Sequence, residues 1–69
     1  MEEKVTNRIR EYRKRAGLTQ EDLAGRMKVS RQTIISIEKG RYVPSLPLAL
    51  RIARFFGCPA DEMFVIEED

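Results

Sequence analysis

Arg31, Gln32, Ile35, Ser36 and Lys39 are spaced to act together. Wound as an α-helix turning about 100° per residue from Arg31, they fall at about 0°, 100°, 40°, 140° and 80°, all on one side. Thr33, Ile34 and Ile37 fall at about 200°, 300° and 240° on the opposite side, with Glu38 near its edge at about 340°. The chemistry of the outer side is directional hydrogen bonding. A guanidinium such as Arg31 offers a two-pronged fork matching guanine O6 and N7. The Gln32 carboxamide matches adenine N6 and N7, and Ile35 can pack on a thymine methyl. Ser36 can donate or accept at either base type, while Lys39 and Arg41, at and beyond the helix end, suit phosphates. Thr19, Gln20 and Ser30 stand at helix starts, where uncommitted backbone N–H groups attract anions, and Gln20 adds an amide of its own.

Two short helices joined by a tight turn are needed to hold these groups. Thr19 is a candidate N-cap with Asp22 three residues on, and Ser30 is a second N-cap. Leu23, Ala24 and Met27 mark the inner side of one helix, and Ile34 and Ile37 that of the next. Ala24 is small, as a close crossing at a tight turn requires. Gly40 supplies a left-handed cap that ends the second of these helices near Lys39, and Pro44 prevents its early resumption. The motif therefore spans about 20–39, the layout of a DNA-reading helix-turn-helix.

Around it, Val5, Ile9, Tyr12 and Ala16 recur at helical spacing, so roughly Asn7 to Arg15 reads as a first amphipathic helix ending at Gly17. Ser45 caps a fourth helix with Pro47 in its first turn, and Leu46, Ala49, Leu50, Ala53 and Phe56 form one stripe along it before Gly57. Pro59 opens a short fifth helix whose first turn carries Asp61 and Glu62, where the helix dipole favours acids. The expected fold is all-α, five helices forming one domain over 1–69, with room for a short terminal β-ribbon in which Phe64-Val-Ile pairs with Lys4-Val5. No repeat or low-complexity segment interrupts it.

Composition narrows the function. The formal charge of +2 conceals a segregation: residues 4–54 hold all 13 Lys and Arg against four acids, whereas Glu2, Glu3, Asp61, Glu62, Glu67, Glu68 and Asp69 make both ends acidic. Such asymmetry gives one face for a polyanion and another turned away from it. There is no histidine, the single Cys58 precedes a proline with no evident base, and the acids do not converge in pairs. An enzyme, a metal site and a cofactor are therefore not expected. With one cysteine, no charged-then-apolar leader and charges in every helix-sized window, a cytoplasmic protein without membrane spans is the expectation.

Leu18-Thr-Gln-Glu-Asp-Leu-Ala, Val29-Ser-Arg-Gln-Thr-Ile, Ile37-Glu-Lys-Gly-Arg and Pro44-Ser-Leu together resemble the phage-repressor (Cro and XRE) helix-turn-helix family over nearly the whole chain. The likeness is to short stand-alone prokaryotic members of the cytolysin-repressor kind. It implies a five-helix homodimer that binds a pseudo-palindromic double-stranded DNA operator as a transcriptional regulator, here a repressor. It implies that Gln20 grips a phosphate, that Ser30 to Lys39 is the recognition helix, and that Arg31, Gln32 and Ser36, with Ile35 close by, read bases. It further implies a buried ion pair between Arg13 and Glu38. Two positions depart from the pattern: Lys28 stands where many relatives have glycine, and Ile35 replaces what is often a polar residue.

A domain this small is short of core, and Met63, Phe64, Val65 and Ile66 crowd its C-terminal end, so self-association is expected. The resemblance places much of that interface on the fifth helix and C-terminal segment, nominating Phe55, Met63, Phe64 and Ile66. A twofold dimer sets its recognition helices about 34 to 36 Å apart, matching half-sites about 10 to 10.5 base pairs apart. The rival reading is an antitoxin or other protein-interaction module that uses this fold with a small protein partner. Such a module would not need Arg31, Gln32, Lys39 and Arg41 together.

Overall fold

A computed structural model of the protein describes residues 4–67; Glu2, Glu3, Glu68 and Asp69, assigned above to the acidic ends, lie outside them. The order is β1 (Lys4–Asn7), α1 (Ile9–Arg15), α2 (Gln20–Met27), α3 (Arg31–Glu38), α4 (Leu46–Phe56), α5 (Ala60–Met63) and β2 (Phe64–Glu67). Five helices are thus joined by a two-stranded antiparallel ribbon, with Lys4 opposite Glu67, Val5 opposite Ile66, Thr6 opposite Val65 and Asn7 opposite Phe64. No helix among the described residues is long and apolar enough to cross a membrane.

The helix boundaries follow from local chemistry. Thr19 and Asp22 form a reciprocal capping box: the Asp22 N–H donates to Thr19 Oγ1 at 3.0 Å and the Thr19 N–H to the Asp22 carboxylate at 2.9 Å. The Thr19 N–H, then the Thr19 hydroxyl and the Arg26 charge, hold the Asp22 carboxyl below its ordinary range. Ser30 Oγ accepts from the Thr33 N–H and starts α3, and Ser45 Oγ accepts from the Leu48 N–H and starts α4. At the end of α3 the Gly40 N–H reaches the Ile37 carbonyl and the Arg41 N–H the Ser36 carbonyl, a paired closure that needs a left-handed residue; Gly40 has φ 75°. The same closure ends α2, where Lys28 adopts φ 60°.

Ile9, Leu23, Ile34, Ile37, Ile52 and Met63 are wholly buried and draw on every helix. Each such side chain contributes roughly 1.5 to 3 kcal/mol to the favourable side of folding. Three expectations are corrected. The first helix begins at Ile9 rather than Asn7, because Asn7 ends β1 and its Oδ1 accepts from the Ile9 N–H at 3.2 Å. Val5 accordingly lies on a strand, and Ala16 is exposed at the C-cap. On α4 the core is entered by Leu48, Ile52 and Ala53, while Leu46 is 71% exposed and Leu50 is also exposed. This helix is apolar on several sides, so periodicity alone leaves its rotation open. Arg51 fixes it by donating from Nη2 to the Met27 carbonyl at 2.8 Å, at the end of α2.

A left-handed backbone at a residue with a Cβ is strained by roughly 1 to 2 kcal/mol. Lys28→Gly should therefore stabilise the protein by about 1 kcal/mol, less than the full strain because glycine also frees the unfolded chain, and raise Tm by about 4 to 8 °C. Thermal unfolding followed by circular dichroism checks this.

Candidate nucleic-acid interface

α2 and α3 pack with Leu23, Ala24 and Met27 against Ile34 and Ile37, which turns the opposite side of α3 outward. Arg31, Gln32 and Lys39 are exposed there, as is Arg41 beyond the helix end, while Ile35 and Ser36 are half-buried. The outer groups serve three flanks. Arg31 shares a polar cleft of about 580 Å³ with Thr19, Gln20 and Glu21 at the start of α2. Gln32 and Ser36 line a second of about 250 Å³ with Ser30, Thr33 and Tyr42. Lys39 lines a third of about 300 Å³ with Gln20, Arg10 and Lys14.

Beneath these clefts lies one buried knot. Arg13 Nε donates to Glu38 Oε2 at 2.8 Å and Nη2 to Oε1 at 3.1 Å, a two-pronged pair whose side chains are 11% and 5% exposed. Arg13 Nη1 donates to the Leu18 carbonyl at 3.0 Å, and Gln20 Nε2 donates to Glu38 Oε1 at 3.3 Å. One carboxylate of α3 therefore receives donors from α1 and from the first residue of α2. The acid is neutralised locally, so the exposed cations around α3 face solvent without it.

The helix-start groups differ in what they leave free. Thr19 spends its N–H and one oxygen lone pair on the capping box, and Ser30 Oγ is engaged with Thr33 through the backbone N–H and through Oγ1 at 2.8 Å. Gln20 spends one amide hydrogen on Glu38, which holds it at the mouth of two clefts with the second hydrogen free. Sequence reasoning missed Arg10 and Lys14, which join Lys39 at one rim, and Tyr42, which stands beside Gln32 and Ser36. The i, i+4 spacing of Arg10 and Lys14 was the available signal. Nothing in the local pattern marks Tyr42.

The residues nominated for a partner interface separate. Met63 is corrected: at 0% exposure it belongs to the chain's own core and offers no surface. Phe55 is exposed beside Phe56, with Arg26 over its ring. Phe64, with Val5, Val43, Pro44, Leu46 and Leu50, lines an apolar groove of about 360 Å³, and Ile66 is 55% exposed.

Residues 9–63 match the family described as Helix-turn-helix. The chain is 56% identical over 65 residues to an uncharacterized HTH-type transcriptional regulator of Methanocaldococcus jannaschii, covering 94% of this chain and 98% of that one. It is 33% identical to the cryptic phage CTXphi transcriptional repressor RstR of Vibrio cholerae, over 84% of this chain and 52% of that one. Among solved structures it is similar to the restriction-modification controller protein C.AhdI of Aeromonas hydrophila, with TM-score 0.71 and 33% identity over 80% of this chain and 83% of that one.

Removing one member of a buried ion pair strands the other, at a cost of about 3 to 5 kcal/mol. Arg13→Met and Glu38→Leu should each destabilise by that amount in urea unfolding. The double variant should recover most of the loss, since two apolar groups leave no uncompensated charge.

Proposed function

The chain belongs to the helix-turn-helix family of DNA-binding transcriptional regulators of the Cro and XRE type, and from that premise we propose that it is a homodimeric repressor of a pseudo-palindromic operator. The family is one of regulators, not of enzymes. The observation that carries this reading is the outward face of α3, where exposed Arg31 and Gln32 stand beside Ser36 and Ile35. In this reading α3 enters the major groove. Arg31 forks onto a guanine, Gln32 pairs with an adenine, Ile35 meets a thymine methyl and Ser36 adds a hydrogen bond. Gln20, Thr19, Ser30, Lys39 and Arg41 hold the phosphates on either side. Repression follows from occupancy alone, and the regulator RstR, similar to this chain, is named a repressor.

The dimer face in this reading is the apolar groove between the ribbon, the loop after α3, and α4. Val43, Leu46, Leu50 and Ile66 are exposed around it, and among the described residues Asp61 is the one charged side chain in its lining. Apolar surface of this kind on a small domain favours covering by a like surface. The groove includes Val43, in the loop that leaves α3, so the contact also bears on the spacing of the two reading helices.

Against a duplex selected for tight binding, Arg31→Ala or Gln32→Ala should lose about 1 to 3 kcal/mol and lose little on scrambled DNA, whereas Lys39→Ala should weaken both and lower the salt dependence. Fluorescence anisotropy at two salt concentrations reads this. Equal losses on all duplexes would reassign Arg31 to phosphate. Sedimentation equilibrium should find a dimer at micromolar concentration and a folded monomer for Leu50→Glu; a wild-type monomer would sink the dimer.

A further inference from the structure

Asn7 joins the terminal ribbon to the end of α3. Its Nδ2 donates to the Ile37 carbonyl at 2.8 Å, across 30 residues of chain, while its Oδ1 accepts from the Ile9 N–H at 3.2 Å. The neighbours dictate the orientation of the amide, since a carbonyl can only accept and a backbone N–H can only donate. The Ile37 carbonyl lies in the last turn of α3 and already accepts from the Gly40 N–H at 3.0 Å, in the closure that also bonds the Arg41 N–H to the Ser36 carbonyl at 2.9 Å. Both lone pairs of one carbonyl are thus used, one for stopping the helix and one for referring its end to β1 and α1. Val5, two residues back on the same face of the strand, lines the apolar groove together with Phe64.

We propose that Asn7 is a positioning residue for DNA recognition: it touches no DNA, and it fixes where α3 ends, and so where Lys39, Arg41 and the base-facing side chains of α3 lie relative to the rest of the protomer. The proposal rests on the reading of α3 as the recognition helix. Loss of the Asn7 donor leaves the Ile37 carbonyl bonded to Gly40, so the fold tolerates it. What it removes is the tether between the ribbon, which borders the dimer groove, and the helix that reads the operator.

Three variants separate this role from helix capping. Asn7→Ser keeps an oxygen for the Ile9 N–H but is too short to reach Ile37. Asn7→Asp keeps both oxygen and reach but has no hydrogen to give, and Asn7→Ala loses both bonds. Amide hydrogen exchange followed by NMR should be faster at Gly40 and Arg41 by about 5- to 10-fold, the weight of one hydrogen bond, in all three. Exchange at Ile52 and Ala53 in α4 should stay unchanged in the Ser and Asp variants. The preference for a selected operator over a scrambled duplex should fall by a similar factor in those two variants, with an unchanged slope against salt. Unchanged exchange at Gly40 and Arg41 in the Ser and Asp variants would reduce Asn7 to a cap and overturn the proposal. Faster exchange with full operator preference would overturn the positioning role. If the wild-type protein prefers no duplex, the reading of α3 fails, and the exchange data still decide whether Asn7 holds the helix end.

Discussion

The Glu38 carboxylate sits where three helices meet, and the orientation of the outer face of α3 depends on what it binds. Arg13 approaches it with two donors from α1 and uses a third on the Leu18 carbonyl, at the entry to α2. Gln20 adds a donor from the first residue of α2. In a buried setting these charged groups are costly unless fully paired, so the geometry tolerates few alternatives. That is a constraint on orientation more than a source of stability. Apolar packing between α2 and α3 resists separation but not rotation of α3 about its axis. The knot resists rotation, and it also sets Gln20 at the mouth of the cleft that Arg31 shares.

A chain of 69 residues has little core to spare, so the ends of its helices matter. Each of the first four ends in a closure that satisfies the last carbonyls, three with glycine and one with Lys28. Side chains from distant elements then tie the ends to one another: Asn7 to the Ile37 carbonyl of α3, and Arg51 to the Met27 carbonyl of α2. The turn between the two central helices is held from both sides, with Arg51 behind its start and the Ser30 cap at its finish. A rigid turn is what a reading helix needs, because base contacts are lost with misplacements smaller than a side chain.

The helix-turn-helix and its caps were legible in the sequence because they rest on local rules. Thr19 with Asp22, Ser30, Gly40, Ser45 and Gly57 each act within four residues of themselves. The terminal ribbon was legible only as a possible pairing of Phe64-Val-Ile with Lys4-Val5, since two four-residue strands carry little periodicity. The rotation of α4 was misread because Leu46 and Leu50 make as good a stripe as Leu48 and Ile52, and the deciding contact, Arg51 to Met27, spans 24 residues. Met63 was misplaced for a related reason: an apolar residue near a chain end reads the same whether it fills its own core or a partner's. The outer face of α3 was legible because angle alone separates Arg31, Gln32 and Ser36 from Ile34 and Ile37. Tyr42 and Asn7 were not, because their positions depend on how a loop and a strand return to that helix.

If the knot presents Arg31 to a base edge, a cycle between protein and DNA shows the contact. Each guanine of a selected operator is replaced in turn by 7-deazaguanine, which lacks the N7 acceptor, and affinities are measured for the wild-type protein and Arg31→Ala. At one guanine per half-site the replacement should weaken the wild-type protein by about 1 to 3 kcal/mol and leave Arg31→Ala unaffected, because the bond is already gone. A penalty of equal size in both proteins at every guanine would mean that Arg31 reads no base and that the knot serves the fold alone.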